Sequence, residues 1–434
     1  MQTKAKEKIN IITLGCAKNL VDSEVLMTQL KGNKKDVFHQ REDINPDVVI
    51  INTCGFIDKA KQESIDTILK HAKEKEEGII KKLYVTGCLS ERYREDLMSD
   101  IPEVDGFYGT RDLPELLKNF QAKYRNELLG ERIITTDSHY AYLKISEGCD
   151  RPCSFCAIPL MRGRHISKPM EQIVLEAENL VRNGVREIML IAQDSTYYGI
   201  DIYKRRTMSE LLKKLSDVEG LDWIRVHYAY PSGFPMDIIE VMSERDNICN
   251  YLDIPLQHGS TRMLKIMRRG ITREKTDKLI ADIREVNPGI ALRTTLIAGH
   301  PGETEEDFQE MYDFVERSQF DRLGIFTYSH EEGTSAHKLE DDVPEQVKRS
   351  RSNKIMSLQQ KISAEKNMQK VGKTVKVLID RADANNYYGR TEQDSPEVDN
   401  EVIIPTKEMH LRVGDFYDVL ITESKEYDLI GKVA

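Results

Sequence analysis

The first third of the chain repeats one hydrophobic pattern three times. Short runs rich in Val and Ile are each followed by a longer stretch in which apolar and charged residues alternate with helical spacing. The predicted strands are 9–14, 47–52 and 82–87, and the predicted helices are 22–30, 59–75 and 91–99. Because crossover helices connect parallel strands, residues 1–120 are predicted to form an α/β domain with a parallel sheet.

A cysteine follows each of these three strands, namely Cys16, Cys54 and Cys88. The carboxyl ends of parallel strands lie along one edge of a sheet, so we expect the three thiols to meet there. One free cysteine is commonly a small buried hydrophobic residue. The same strand-end position three times favours a shared metal site instead.

The alternation of strand and helix resumes at residue 139, after a polar stretch at 121–138 that we interpret as a linker. Predicted strands are 142–145, 187–192, 223–228, 252–256, 292–298 and 323–328, and predicted helices include 170–183, 208–216, 272–286 and 303–318. Six such units form most of a (β/α) barrel, so residues 139–368 are predicted to be a partial barrel. Its active site should lie at the carboxyl ends of the strands.

The pattern changes again in the last segment, 369–434. Short apolar runs at 375–379, 387–390, 400–404 and 418–422 are separated by turn residues, which predicts a small antiparallel β-barrel.

The composition indicates the cellular compartment of the protein and the class of partner that it binds. The chain has 434 residues, 39% of them hydrophobic, and a formal net charge of −10, which argues against a protein dominated by direct nucleic-acid binding. No apolar run reaches the ~20 residues of a membrane span, and the N-terminal residues lack the apolar core of a signal peptide, so we expect a cytoplasmic protein without membrane contact. Seven cysteines, an odd number, fit thiolate ligands better than disulfides.

A second cysteine set, Cys149, Cys153 and Cys156, has the spacing CxxxCxxC and follows the first barrel strand. Three thiolates leave one coordination position of a 4Fe-4S cluster without a protein ligand, which is typical of a catalytic site. An electron-transfer protein usually gives each cluster four ligands, and structural zinc also requires four, so both alternatives are weaker. Cys249 belongs to neither set and is interpreted as a buried or incidental thiol.

The CxxxCxxC spacing, with Phe155 before its last cysteine, resembles the radical S-adenosylmethionine (SAM) enzymes. The flanking Glu147-Gly-Cys and the residues 156–164 resemble the methylthiotransferase branch, in which an N-terminal domain carries a second cluster. The final segment is similar to the TRAM domain of that branch. This resemblance implies two 4Fe-4S clusters and SAM: SAM would chelate the open iron of the second cysteine set and yield a radical that abstracts hydrogen. The cluster of the first set would supply a methylated sulfur.

The resemblance and the barrel-mouth positions also suggest cofactor and substrate contacts. The cofactor candidates are Phe155 in the cysteine loop, Gln193 and Asp194 after the second barrel strand, and Arg293 and Gly299 of the fifth strand segment. Asp can also cap a turn and Gly can permit one, so a structural role is the alternative for these two residue types. Candidate substrate contacts are Lys18, Gln257 and His258, and His258 is as easily structural as functional.

The residues around Ala17-Lys18 and Gln257-His258 resemble the methylthiotransferases that modify a ribosomal protein. The acceptor in that group is the β-carbon of an aspartate in ribosomal protein S-twelve, free or in the small ribosomal subunit. The alternative is methylthiolation of a modified adenosine in tRNA. Residues 371–434 contain 8 Lys and Arg against 13 Asp and Glu, which favours a basic protein partner over RNA. A small electron donor such as flavodoxin or ferredoxin is also implied.

Overall fold

The computed structural model describes residues 7–406 and 409–434. The N-terminal sheet is wholly parallel, with the order β2-β1-β3-β4-β5. Its strands are β1 Lys8–Thr13, β2 Asp36–His39, β3 Val48–Thr53, β4 Lys82–Gly87 and β5 Gly106–Phe107. The helices are α1 Ala17–Gly32, α2 Asp58–Glu76, α3 Cys88–Arg92, α4 Arg94–Asp100 and α5 Leu113–Lys118. The three predicted strands are confirmed, and the helix predicted at 91–99 is divided between α3 and α4 at Tyr93.

Residues 121–138 contain no strand or α-helix, only a 3-10 turn at Asn126–Leu128. They are nevertheless packed against both neighbouring domains. The buried Arg132 guanidinium lies 3.1 Å from Glu24 of α1 and 3.3 Å from Glu176 in the next domain. This segment therefore contributes an ion pair to each side.

The central sheet has six parallel strands in the order β13-β12-β11-β10-β9-β6, as expected for a partial (β/α)6 barrel. These strands are β6 Tyr140–Lys144, β9 Glu187–Ile191, β10 Trp223–Val226, β11 Ile248–Asp253, β12 Ala291–Ala298 and β13 Arg322–Thr327, and the short pair β7 Ser146–Glu147 and β8 Ile166–Ser167 lies in the loop after β6. The helices are α6 Ile158–Arg162, α7 Met170–Arg182, α8 Met208–Ser216, α9 Asp237–Glu244, α10 Thr261–Ile266, α11 Arg273–Val286, α12 Glu305–Ser318 and α13 Glu345–Met368. The fourth barrel strand lies earlier in the chain than the predicted 252–256, and it ends at Asp253, shortly before Pro255, a residue that cannot donate to a sheet ladder.

The C-terminal strands close into a five-stranded barrel in the order β14-β15-β16-β18-β17. They are β14 Thr374–Ala382, β15 Asn386–Arg390, β16 Val402–Pro405, β17 Phe416–Ser424 and β18 Leu429–Val433. The predicted small barrel is confirmed with one difference. The β16–β18 pair is parallel, because β18, a strand that the sequence pattern did not reveal, closes the barrel.

Acidic residues of the C-terminal domain are directed into the central barrel. Asp380 pairs with Arg390 at 2.7 Å and with His139 at 2.8 Å, and Arg322 donates to Asp394 at 3.0 Å. The local count of 13 acidic residues therefore overstates the negative charge available to a partner.

None of the helices in the described part of the chain has the length and apolar character that a membrane span requires.

Candidate active site

Cys16, Cys54 and Cys88 lie together at the carboxyl edge of the N-terminal sheet, as the strand pattern predicts. Cys16 precedes α1, Cys54 follows β3, and Cys88 begins α3. Gly15 has a φ of +88°, and a Cβ built on it would lie 2.6 Å from Cys54 Cβ and 2.7 Å from its Sγ. Only glycine therefore lets the Cys16 loop approach Cys54 this closely.

One buried amide connects the three cysteine loops. The Asn19 amide nitrogen donates to the carbonyls of Leu14 at 2.8 Å and Thr53 at 2.9 Å. The Cys88 thiol donates to Asn19 Oδ1 at 3.7 Å. Asn19 thus fixes the loops that present all three thiols, and it was not singled out from the sequence.

Burial controls the ionisation of these thiols. It raises the pKa of Cys54 and raises that of Cys88 to about 12, the neighbouring thiols add to the rise, and the Arg162 guanidinium opposes it. Thiolates at such a site need a cationic partner, and a metal centre provides one.

The second cysteine set lies in the loop after β6, at the mouth of the central barrel. Cys153 Sγ accepts from Arg269 at 3.2 Å and lies 3.8 Å from the Tyr230 hydroxyl. Burial raises the pKa of Cys149 to about 11 and that of Cys156 to about 12. Arg269 and Tyr230 come from loops distant in sequence, and no sequence signal indicated them.

The donor chemistry of both sets fits an iron–sulfur cluster. Each set offers three thiols, the ligand type that holds such clusters. Among residues 7–406 and 409–434, no group of His, Cys, Asp or Glu converges as it would around one metal ion.

Parts of both cysteine loops meet at the boundary between the N-terminal and central domains. Cys88 of the N-terminal domain packs against Ala157 and Met161, directly after Cys156. Arg162, only 2% exposed, crosses the same boundary, where it lies 2.7 Å from Asp22 and hydrogen-bonds to Asn19 Oδ1. The sequence tail 156–164 includes Arg162, but its contact with α1 could not be predicted.

Two predicted cofactor residues lie in the loop after β9. The Gln193 amide nitrogen donates to Glu147 at 3.0 Å, while its buried Oε1 has no hydrogen-bond partner among the described residues. Asp194 caps the turn that begins at Ser195 and accepts from Arg151 at 2.6 Å. Arg151 Nη2 is likewise buried without a partner in the described part of the chain. An unpaired acceptor on Gln193 and an unpaired donor on Arg151 fit the amino and carboxylate groups of SAM, and SAM binding by Gln193 and Asp194 stays a prediction.

The other cofactor candidates differ in their surroundings. Phe155 is half-buried in the cysteine loop. Arg293 lies early in β12, where it pairs with Asp253 at 3.0 Å and with Asp399 of the C-terminal domain at 3.3 Å. Gly299 has a φ of +78° and packs against Lys348, and its amide donates to Glu303 at 2.8 Å. Direct SAM contacts by these residues also stay predictions, and both ion pairs of Arg293 are made within the protein.

The three candidate substrate residues have different surroundings. Lys18 is buried, with its ammonium 3.2 Å from the centre of the Tyr228 ring. Gln257 is half-buried with a φ of +76°, a left-handed conformation that is uncommon for residues other than glycine. His258 is fully buried, accepts from the Ser260 amide at 2.9 Å and lies 3.3 Å from Glu303. The placement of His258 fits a structural role, and a substrate contact by any of the three stays a prediction.

Comparisons with known proteins agree with this geometry. Three family models match: "Uncharacterized protein family UPF0004" over residues 8–109, "Radical SAM superfamily" over 143–315 and "TRAM domain" over 371–434. The ribosomal protein uS12 methylthiotransferase RimO of Cytophaga hutchinsonii is 60% identical, covering 99% of this chain and 98% of its own. The protein of the same name from Christiangramia forsetii is 58% identical over 100% of this chain and 96% of its own. The chain belongs to the RimO family of radical SAM methylthiotransferases.

Other RimO relatives and solved structures extend the comparison. The RimO protein of Bacteroides thetaiotaomicron is 54% identical over 99% of this chain and 98% of its own. The radical SAM methyltransferase TsrM of Kitasatospora setae has a TM-score of 0.57 at 14% identity, covering 88% of this chain and 80% of its own. The cobalamin-dependent radical SAM enzyme OxsB has a TM-score of 0.52 at 15% identity, covering 76% of this chain and 55% of its own. At such low identities these structures show the shared fold, and family membership implies two 4Fe-4S clusters and SAM for this RimO-family chain.

Proposed function

We propose that this protein inserts a methylthio group at the β-carbon of an aspartate in ribosomal protein uS12. The observation that carries the proposal is the contact of Cys88 with Ala157 and Met161, which brings two three-cysteine sets to one domain boundary. Sulfur insertion needs hydrogen abstraction and sulfur delivery at the same carbon, and this arrangement allows both. The names of relatives that are 53–60% identical along the full chain support the substrate.

The residues of the chain divide this work between the two domains. Cys149, Cys153 and Cys156 would hold the cluster that binds SAM, and Cys16, Cys54 and Cys88 would hold the second cluster. When bound, these groups supply the reductive cleavage of SAM, the hydrogen abstraction and the methylthio sulfur. An unactivated C–H bond is beyond the reach of any side-chain base, so the protein binds, orients and excludes water.

Positive charge from the protein lies beside both thiolate sets. Arg269 contacts Cys153 directly. Arg162 opposes the burial-driven rise in the pKa of Cys88 and pairs with Asp22 and with Glu147 at 3.1 Å. These guanidiniums favour thiolate over thiol, which is the form that binds metal.

Mass spectrometry of uS12 tests the proposal. We expect uS12 from a strain lacking this gene to lose the mass of one methylthio substituent in a single peptide. The wild-type gene should restore that mass and the Cys149→Ala variant should not. An unchanged uS12, together with loss of a methylthio group from tRNA adenosine, would select the alternative substrate and contradict the proposal.

The proposal includes a one-electron donor and a location. Reductive cleavage of SAM consumes an electron, so a small donor such as flavodoxin or ferredoxin is required. An enzyme that modifies uS12, free or within the small ribosomal subunit, would act in the cytoplasm, which is the location that we propose. Reconstituted protein with a purified flavodoxin should form 5′-deoxyadenosine, and no product with any such donor would contradict this part.

A further inference from the structure

Lys18 is a buried cation that has no counter-ion among the residues that the structure describes. Its residue is 8% exposed, and no carboxylate within residues 7–406 and 409–434 lies within 4.0 Å of its ammonium. The two neighbouring cations of the same boundary, Lys144 and Arg162, are paired with Asp22 and Glu147. Because burying an unpaired charge is costly, buried cations in proteins are normally paired. Lys18 therefore has the properties of a site whose anion is supplied by a ligand.

The Tyr228 ring holds the ammonium in place. Lys18 Nζ lies 3.2 Å from the ring centre, within the range of a cation–π interaction. Tyr228 has a φ of +60°, and this strained backbone is fixed by two hydrogen bonds: its amide donates to Asp253 at 3.2 Å, and its carbonyl accepts from Ser195 at 3.1 Å. A ring face attracts the cation without neutralising it, so the ammonium remains available for an anion.

The position of Lys18 relates it to both cysteine sets. It follows Cys16 by two residues on the first turn of α1. Its partner Tyr228 precedes Tyr230 by two residues, and the Tyr230 hydroxyl lies 3.8 Å from Cys153 Sγ. One short loop after β10 therefore contacts Lys18 and one cysteine of the SAM-binding set. An anion bound by Lys18 would therefore lie close to the loop that contacts Cys153 and to the helix that follows Cys16.

We propose that the Lys18 ammonium binds the carboxylate of the acceptor aspartate and so selects aspartate as the substrate. This inference rests on the proposed function and specifies how it recognises its substrate. The β-carbon of aspartate is bonded directly to its carboxyl carbon, so fixing the carboxylate also fixes the carbon that reacts. A tRNA adenosine has no carboxylate and would leave the buried ammonium unpaired.

The methionine carboxylate of SAM is a second possible source of the same chemistry. The position of Lys18 beside Cys16 favours the acceptor, because SAM binds at the Cys149, Cys153 and Cys156 set. The two sources predict different results for a Lys18 variant. Loss of the SAM carboxylate contact weakens SAM binding, whereas loss of the acceptor contact abolishes discrimination between aspartate and asparagine.

The test compares full-length protein with both clusters reconstituted, as wild type and as Lys18→Met. Binding is measured to purified uS12 that carries either Asp or Asn at the modified position, and to SAM. A charge-assisted contact predicts that wild type binds the Asp form about 10- to 100-fold more tightly than the Asn form. Lys18→Met should bind both forms equally and SAM as wild type does. Lys31→Met, an exposed lysine at the other end of α1, should keep the wild-type preference.

Each other outcome overturns the inference. Equal binding of both uS12 forms by wild type excludes a carboxylate contact, and a Lys18→Met enzyme that still prefers Asp shows that Lys18 only joins the two domains. Weakened SAM binding with an intact Asp preference assigns Lys18 to SAM. If Lys18→Met loses iron, Lys18→Gln is measured in the same way, and a retained preference has the same meaning. A wild-type enzyme that modifies no uS12 refutes the proposed function itself, together with this inference.

Discussion

Arg162 of the cysteine loop and Asp22 of the N-terminal domain form an ion pair of 2.7 Å across the domain boundary. The arginine side chain is 2% exposed and also contacts Glu147 at 3.1 Å. Through this pair, the helix that follows the SAM-binding cysteines is connected to the helix that follows Cys16. The boundary between the two cysteine sets is thus held by charge as well as by the apolar contact of Cys88.

Replacing Arg162 by Gln should destabilise this boundary. The change leaves the partly buried carboxylates of Asp22 and Glu147 with one cation, Lys144. Breaking a buried ion pair in this way lowers the free energy of unfolding by about 3–5 kcal/mol. Urea denaturation should show a loss of that size. Arg164→Gln is the matched control: its side chain is 92% exposed and lies 3.6 Å from Asp150, so we expect a change within about 0.5 kcal/mol. Equal effects of the two variants would contradict the role of Arg162.

Gly15→Ala should remove the N-terminal cluster alone. The added methyl would lie 2.7 Å from Cys54 Sγ, so the thiol must move away. Gly78→Ala carries the same penalty for a positive φ of +75° but meets no atom within 4 Å, which makes it the control for backbone strain. We expect iron analysis to give about four irons per Gly15→Ala chain and about eight per Gly78→Ala chain. Equal iron in both variants would refute the crowding argument.

Arg390→Met should loosen the C-terminal domain. Arg390 is fully buried and pairs with Glu187 of β9 and with Asp380, each at 2.7 Å. Without Arg390, the buried Glu187 carboxylate keeps Arg225, at 2.9 Å, as its ion-pair partner. Limited proteolysis should then release a fragment close to residues 371–434 sooner than from wild type. The exposed pair of Arg381 with Glu401 at 2.8 Å provides the control, and Arg381→Met should be cleaved at the wild-type rate.

Asp253 should make stability depend on pH in acid. Burial raises the pKa of its carboxyl, but the His227 imidazole, 3.8 Å away, and the nearby Arg293 more than offset this and lower it to about 2. Because the folded-state pKa is below the ordinary 3.8, the stabilisation is complete above pH 3.8 and is lost as pH falls to about 2. Apo-protein should lose about 2 kcal/mol of unfolding free energy over that range from this group. The free energy of unfolding of Asp253→Asn should fall by about 2 kcal/mol less over that pH range, whereas the exposed Asp246→Asn should show the full wild-type loss. Identical curves of unfolding free energy against pH for both variants would contradict the assignment.

The sequence predicted the parts of this protein that follow from local pattern. The repeated order of strand, cysteine and helix predicted that Cys16, Cys54 and Cys88 lie at one edge of the sheet. Strands connected by crossover helices are parallel, so their carboxyl ends lie at the same edge. The alternation after residue 139 likewise predicted six barrel strands, of which only the fourth was displaced.

The parts that depend on contacts between domains could not be predicted in this way. Nothing in the local pattern shows that Arg162 reaches Asn19, or that Tyr230 and Arg269 approach Cys153. The acidic C-terminal segment was interpreted as a surface for a basic partner, yet Asp380, Asp394 and Asp399 pair with arginines within the chain. Net charge does not reveal which charges are buried.

The central claim is that each cysteine triplet holds its own cluster, and iron analysis tests it most directly. We compare reconstituted wild type with two variants in which Cys16, Cys54 and Cys88, or Cys149, Cys153 and Cys156, are replaced by Ala. The account predicts about eight irons per wild-type chain and about four in each variant, with SAM cleavage retained only where Cys149, Cys153 and Cys156 remain. About four irons in the wild type, or equal loss of SAM cleavage in both variants, would contradict it.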